Sequence, residues 1–448
     1  MSIAAVHVAD RQRLRERLHA GTLETKLAVS GFVAIAIHVL DDNFFQPQPG
    51  TSPLDHLVSG LVPVAILSVA AAPYPRLRPG LRGTTLLVIG LLGVVIGSTE
   101  PVYYARNHGG LTGDDYTGLV AAAGGLFLVA LGVVVLWNSR RRNDRLIRRY
   151  SRRLLLGIGT AVILYFVIFP FSLSYAFTHA ARVETERGDL GGQFETVAFD
   201  ASDGLRLKGW FVHSRNGAAV IVFPGKKGTQ KHARMLVRHG YGVLVFDRRG
   251  EGESEGDPNA LGWTFDRDLK GALRFLRGTP SVDPSRIGGL GLSVGGEAML
   301  QTAAETKDLK AVVSDGAGAR SVREDTVRVR AGKAPEIWFS AVMTAGTALF
   351  ANQLPPPNLE NLAARISPTP VFFIYASNGA GGEENNPNYY AAVRGPKQIW
   401  MINTSHTHGL TDRPRSTSGA SCGSSTAHSC VKPMAKSVAQ VGNPIVDR

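Results

Sequence analysis

Residues 286–300 read RIGGLGLSVGGEAML. The apolar run Ile287 to Leu292 predicts a short buried strand. Gly295 and Gly296 follow Ser293 almost at once, and Glu297 to Thr306 is a helix-forming run. Strand, sharp turn and helix around Gly291-Leu292-Ser293-Val294-Gly295 make a G-x-S-x-G nucleophile elbow. Such a turn forces its serine into a strained backbone conformation. A side chain two positions before or after it would collide with the neighbouring strand and helix, so both positions need glycine. The motif alone is a weak signal among 51 glycines; its strand-to-helix setting is what gives it weight.

Working outward, short apolar runs and helical stretches alternate through the C-terminal half. Phe194 to Asp200 and Leu207 to His213 form a paired start around the turn Ser202-Asp203-Gly204. Ala218 to Phe223 is a buried strand that ends in Pro224-Gly225-Lys226-Lys227-Gly228, and a helix follows to His239. Gly242 to Phe246 leads into Asp247-Arg248-Arg249-Gly250-Glu251-Gly252-Glu253-Ser254. Beyond the elbow, Leu309 to Ser314, Pro370 to Tyr375 and Gln398 to Ile402 are further strands, with a mostly helical insertion between Ala319 and Ile366. This alternation predicts a mainly parallel sheet with helices on both faces.

The N-terminal half has a different character. Five apolar segments run from about Leu27 to Leu40, Leu57 to Ala72, Thr84 to Ser98, Gly118 to Trp137 and Leu154 to Phe177. The last two approach or exceed the ~20 residues that span a bilayer, and interfacial residues can extend the others. Arg11, Arg13, Arg15, Arg17 and Lys26 precede the first segment. Arg76, Arg78 and Arg82 lie in the second connection, and eight arginines from Arg140 to Arg153 in the fourth. The first connection has no Lys or Arg, and the third has Arg106 alone. This alternation places the N terminus inside and everything after Phe177 outside the cytoplasm. His38, Asp41, Asp42, Asp55 and His56 gather near the predicted outer ends, where polar residues at an interface are the simplest reading.

The formal net charge of +13 raises nucleic acid as a partner, but the arginines cluster at the ends of apolar runs and no nucleic-acid motif accompanies them. Cys422 and Cys430 are the only cysteines, too few for a disulfide framework or a C-x-x-C metal site. The Gly225 to Gly228 loop lacks P-loop spacing, and no H-E-x-x-H or His/Cys cluster calls for a metal. No cofactor is expected.

Three stretches carry a family likeness: the Pro-Gly loop after Phe223, DRRGEGES at Asp247 to Ser254, and GLSVGG at Gly291 to Gly296. Over about Phe194 to Leu410 the chain resembles the α/β-hydrolase superfamily, in particular its bacterial esterase and dienelactone-hydrolase- or peptidase-like branches. The resemblance implies a Ser-His-acid triad in the chain order serine, acid, histidine, with Ser293 as nucleophile. The base is then His406, with His408 as the alternative, in the Thr404 to Gly409 loop after the last strand. The acid is Glu383, with Glu384 and Asp315 as alternatives, since no aspartate stands directly after the Val371 to Tyr375 strand. The oxyanion hole falls to the backbone N–H groups of Val294 and Lys226, although this chain has Pro224-Gly225 where the family often has His-Gly. Asp247 and Arg249 belong to a turn that is mostly structural in the family.

The expected organisation is a transmembrane region over 1–177, a linker over 178–193, and an α/β-hydrolase domain over 194–415. The insertion at 319–366 is a candidate cap, with Trp338, Phe339 and Phe350 as candidate lining; ordinary core packing is the equal alternative for these aromatics. The segment 416–448 is an atypical tail. Ser416 to Cys430 has no helical period where the family places a closing helix. A disordered tail is one reading; a frameshift is the other, since with permitted codons the neighbouring frame can encode EYERRVVRFFDRALL, an amphipathic helix. The expected function is a membrane-anchored serine esterase acting on a small-molecule or lipid-like acyl substrate, with membrane lipid as its surroundings and no nucleic acid. An acyltransferase or peptidase with the same triad, and a non-catalytic hydrolase-like module, are the alternatives.

Overall fold

The computed structural model describes residues 23–107, 110–111, 113–138, 146–183, 188–224, 230–324, 334–379 and 381–412. The expected tail at 416–448 and Lys226 lie outside these residues. The chain divides into two compact units, one of residues 1–181 with 345–353, the other of residues 182–344 with 354 onward.

Five helices of the first unit are long and apolar enough to cross a membrane: Leu23–Phe45, Pro53–Arg76, Pro79–Asn107, Asp115–Asn138 and Tyr150–Thr178. The first three outrun their apolar segments because flanking polar residues continue the helix. The third and fourth spans pack through a ladder of glycines. Gly83, Gly90 and Gly97 recur every seventh residue, as do Gly118, Gly125 and Gly132. A Cβ on Gly90 would lie 2.7 Å from the carbonyl oxygen of Gly125, and one on Gly125 2.5 Å from the carbonyl oxygen of Gly90. One on Gly132 would lie 3.0 Å from the carbonyl oxygen of Gly83, and one on Gly118 3.1 Å from that of Gly97. Close backbone approach through small residues supplies the packing here, as it does between helices in hydrocarbon, which have no hydrophobic reason to associate. A period of seven keeps that seam on one side of each helix. Gly125→Leu is therefore expected to destabilise the unit by about 1–3 kcal/mol, the usual cost of overpacking. Gly157→Leu, where an added Cβ meets nothing within 4 Å, should leave the thermal midpoint in detergent unchanged.

The polar residues near the span ends are hydrogen-bonded to one another. Thr117 Oγ1 donates to Asp41 Oδ2 at 2.7 Å and lies 3.2 Å from His38 Nδ1. Ser59 Oγ donates to Asn43 Oδ1 at 2.7 Å, and Asp55 accepts from the Ser52 backbone at 2.8 Å. Such pairing lets these groups lie near hydrocarbon at low cost. No group of three or more metal-binding side chains occurs among the described residues.

The second unit is built on one sheet. Its strands are β1 (Glu195–Asp200), β2 (Arg206–Val212), β3 (Ala219–Phe223), β4 (Gly242–Phe246), β5 (Ile287–Leu292), β6 (Val312–Asp315), β7 (Val371–Asn378) and β8 (Lys397–Ser405), in the spatial order β1-β2-β4-β3-β5-β6-β7-β8. β1 and β2 form an antiparallel hairpin that meets β4 antiparallel, and the strands from β4 to β8 run parallel. The helices are α1 (Gln230–Arg238), α2 (Phe265–Arg277), α3 (Val294–Thr306), α4 (Ala334–Phe350, which from residue 345 on belongs to the first unit), α5 (Leu359–Ala363), α6 (Asn386–Ala392) and α7 (Gly409–Asp412). One core sets Phe265, Leu269, Met299, Leu359 and Tyr389 against Phe223, Phe246 and Phe373. The other sets Ala233, Leu236 and Leu410 against Val222, Val243 and Leu292. Because both faces are covered, β3, β4 and β5 are buried along their whole length. Their sequences are accordingly continuous apolar or glycine runs with no alternation. This is the α/β-hydrolase fold.

Two expectations need correcting. Phe350 does not line a cap. It belongs to the first unit, where its ring lies 4.8 Å from Phe171 and 5.2 Å from Tyr175, centroid to centroid. Trp338 is 53% exposed, so it forms no closed lining either. The segment read as a linker is also more than a spacer. Arg182 donates to the carbonyls of Ser254 at 2.6 Å and Gly256 at 2.8 Å, and Leu190 is buried in the second core. Both contacts are to residues far away in sequence, which local composition does not register.

Candidate active site

The elbow places Ser293 between β5 and α3 with φ 55° and ψ −126°. This region of the backbone map costs a side-chain-bearing residue ~1–3 kcal/mol. The turn is held from several sides. The Ser293 amide donates to the Asp315 carbonyl at 2.8 Å, and the Ser293 carbonyl accepts from Gly296 at 2.7 Å and Glu297 at 3.2 Å. A Cβ on Gly291 would overlap the carbonyl of Gly295, and one on Gly295 would stand 2.6 Å from the Phe223 carbonyl oxygen. Both glycines are thus required by close backbone approach on either side of the serine.

His406 follows β8 directly, and Thr407, at φ 55°, turns the chain there. Its Nε2 lies 2.9 Å from Ser293 Oγ. Its Nδ1 is in hydrogen-bonding contact with Glu383 Oε1. Glu383 starts the short helical turn after β7 and is 1% exposed. Its second oxygen, Oε2, accepts from the Ala376 amide at 2.7 Å, and Gly379 leaves room for the carboxylate, since a Cβ there would sit 2.6 Å from Oε1. Asn386 Nδ2 bonds both the Glu383 carbonyl at 2.8 Å and the Ala317 carbonyl at 2.7 Å, tying the Glu383 turn to the loop after β6.

Two of the alternatives fall elsewhere. Glu384 and His408 are exposed; the His408 amide merely closes a turn onto the Ser405 carbonyl at 3.1 Å. Asp315 ends β6, is buried, and lies close enough to Glu383 and His406 to share their field. Val294, one of the two expected oxyanion donors, is the first residue of α3, where the helix dipole favours negative charge. The other, Lys226, lies outside the described residues.

The site is electrostatically crowded. The hydrogen bond to Glu383 raises the His406 pKa above its ordinary 6.5, against the opposing effect of burial. Burial, reinforced by the charge of Glu383, pushes the Asp315 carboxyl up to about 7. Glu297, one turn after Ser293 on α3, is also pushed up to about 7 by burial, although Arg320 and the Gly318 amide favour its charged form. Sequence reasoning missed Glu297. A glutamate four residues after the serine, on the buried side of a short helix between two strands, was the available signal.

The turn from Asp247 to Ser254 is held by ionic and hydrogen bonds. Arg249, 4% exposed, donates to Asp268 from Nε at 2.8 Å and Nη2 at 2.6 Å, and to Asp203 from Nη1 at 2.9 Å. Ser254 Oγ donates to the Asp247 carbonyl at 2.8 Å and accepts from the Lys208 amide at 3.0 Å.

With this geometry in place, comparison with known proteins agrees on the class. Residues 214–365 match the family model described as X-Pro dipeptidyl-peptidase (S15 family). The match includes Ser293 and Asp315 and ends before Glu383. The chain is similar to the uncharacterized protein YfhR of Escherichia coli K12, at 27% identity over 240 residues, covering 49% of this chain and 75% of that one. It is also similar to the quorum-quenching protein AidA of Acinetobacter baumannii, at 36% identity over 131 residues, covering 26% and 42%. Among solved structures, the Pyrococcus furiosus esterase Pf2001 aligns with 21% identity and a TM-score of 0.42, covering 53% of this chain and 96% of that one. The fold and the family match make the C-terminal unit a hydrolase of the esterase and peptidase type within the α/β-hydrolases.

Proposed function

We propose that the protein is a membrane-anchored serine hydrolase that cleaves carboxylic ester or related acyl bonds. The observation that carries this reading is the unbroken run of contacts from Ser293 Oγ through the His406 imidazole to the Glu383 carboxylate. Ser293 attacks the acyl carbonyl while His406 Nε2 takes its proton. Glu383 holds Nδ1–H and stabilises the imidazolium. The oxyanion receives the backbone N–H of Val294, with Lys226 as the second donor expected from the sequence; one such donor contributes about 3 kcal/mol to the transition state. His406 then returns the proton to the leaving group, and water attacks the acyl-enzyme by the reverse route. The Lys and Arg bias of the connections supports a reading with this unit outside the cytoplasm, and proximity to the bilayer favours lipid-like or cell-envelope esters. A peptidase is the second reading, favoured by the S15 match.

The test is a panel of p-nitrophenyl esters and X-Pro peptide amides given to the purified full-length protein, with and without alcohol acceptors. Ester turnover that is lost in Ser293→Ala supports the proposal. Turnover of X-Pro amides alone would replace it with the peptidase reading, and ester exchange onto alcohols in preference to water with acyl transfer. Reporter fusions after Phe177 test the orientation, and a cytoplasmic readout contradicts it.

A pH dependence follows from the raised His406 pKa. A general base works in its neutral form, so kcat/KM should rise with pH through an acid limb above 6.5. Glu383→Gln removes the group that stabilises the imidazolium, which should move the limb to lower pH. An unmoved limb would mean that Glu383 does not set the charge of the imidazole.

A further inference from the structure

Asp315 has no place in the triad, yet the fold brings it to the same spot. It is the last residue of β6 and pairs in register with Leu292, the residue before Ser293, on one side and with Ile374 on the other. Its carbonyl holds the Ser293 amide at 2.8 Å. The next residue, Gly316, touches the imidazole: a Cβ there would lie 3.2 Å from His406 Cε1 and 3.4 Å from Nδ1. Asp315 is 4% exposed, and its Oδ2 has no hydrogen-bond partner among the described residues. A buried carboxyl oxygen without a partner is costly and needs a reason. The end of β6 and the turn after β7 thus each carry a buried acid whose charge acts on one histidine.

We infer that Asp315 is a second positioning acid for His406, held in reserve while Glu383 is charged and able to support the imidazolium when Glu383 is not. The inference rests on the Ser-His-acid reading above. Two carboxylates in one buried site repel each other, so the site carries one negative charge more easily than two. Glu383 takes that charge because Oε2 has the Ala376 amide and Oε1 the imidazole. Asp315 holds its proton more tightly than an ordinary aspartate for the same reason: burial, and then the charge of Glu383, favour its neutral form, against the opposing effect of His406. Removing the charge of Glu383 removes that second cause, and Asp315 then ionises more easily beside the imidazole. The charged or titratable groups that act on this pair are Glu383 from the turn after β7, His406 from the loop after β8, and Glu297 from α3 through its effect on His406.

The experiment is a double-mutant cycle on the detergent-solubilised full-length protein, read as the second-order rate of labelling by a fluorophosphonate across pH. Glu383→Gln is expected to lose about a hundredfold; Asp315→Asn should cost under about threefold alone but a further ~tenfold in the Glu383→Gln background. The acid limb should move down in Glu383→Gln and further down in the double variant, a shift that a merely structural aspartate would not produce. Equal factors in the two backgrounds, with no further movement of the limb, overturn the inference. If Ser293→Ala labels at the wild-type rate as well, the triad reading has failed and the inference falls with it. Thermal melts accompany all variants. If the double variant does not fold, Asp315→Ser in the Glu383→Gln background reads the same loss and limb shift with a smaller side chain.

Discussion

Ser293→Ala is expected to lower kcat for ester hydrolysis by about a million-fold, with what remains coming from substrate binding and the oxyanion hole. His406→Ala should cost about as much, and the two changes together little more, because serine and imidazole act as one unit. The non-additivity is the informative part. Independent contributions would multiply to a far larger loss, whereas a shared proton transfer is abolished once. The geometry motivates this expectation, since Ser293 Oγ lies 2.9 Å from His406 Nε2. Steady-state kinetics on the two single variants and the double variant check it. A loss of only a few fold in either single variant would mean that the serine is not the nucleophile or the imidazole not its base.

The second large effect concerns stability. Asp268 is fully buried, and both its oxygens serve Arg249, Oδ1 through two guanidinium bonds and Oδ2 through the backbone amide at 3.2 Å. Burial works against the charge of Arg249, but Asp268 and Asp203 outweigh it and keep the guanidinium ionised. Asp268→Asn leaves that charge buried with only the quarter-exposed Asp203 opposite it. The expected loss is about 3–5 kcal/mol, the usual cost of breaking a buried pair from one side. Exchanging both partners for apolar residues of similar volume should cost much less, since no stranded charge remains. Thermal unfolding of the variants reads this directly. An unchanged midpoint for Asp268→Asn would show that water reaches Arg249 and screens it.

These two cases also mark how far the sequence can be read. The elbow was legible because its constraints are local. Gly291 and Gly295 flank Ser293 for reasons that a backbone turn imposes within five residues. The parallel sheet was legible because strands buried on both faces leave continuous apolar runs. His406 and Glu383 were reachable through the order of strands once the family resemblance had been drawn; the structure sets His406 against Ser293 and Glu383 against His406. β7 and β8 run on to Asn378 and Ser405, beyond their apolar residues, because the end of the sheet at the site is polar.

What was not legible depends on partners distant in sequence. Nothing local says that Phe350, in the middle of the hydrolase half, packs on Phe171 and Tyr175. Nothing local says that Arg182 caps the carbonyls of Ser254 and Gly256. The glycine ladder is an intermediate case. The seven-residue spacing of Gly83, Gly90 and Gly97 and of Gly118, Gly125 and Gly132 is visible in the sequence, but it acquires meaning only when two antiparallel spans bring the two series face to face. Glu297 was hidden for another reason, and Asp315 could be named only as an alternative acid for the same one: a sequence shows which residues are acidic but not which acids are buried.

The central claim is that Ser293 is an activated nucleophile in the folded, full-length protein. The direct measurement is to treat the protein in its native membranes with a fluorophosphonate, digest it, and locate the adduct by mass spectrometry. The account predicts a single stoichiometric adduct on Ser293, lost on heat denaturation and strongly slowed in His406→Ala. An unmodified Ser293 in protein that melts cooperatively would contradict it.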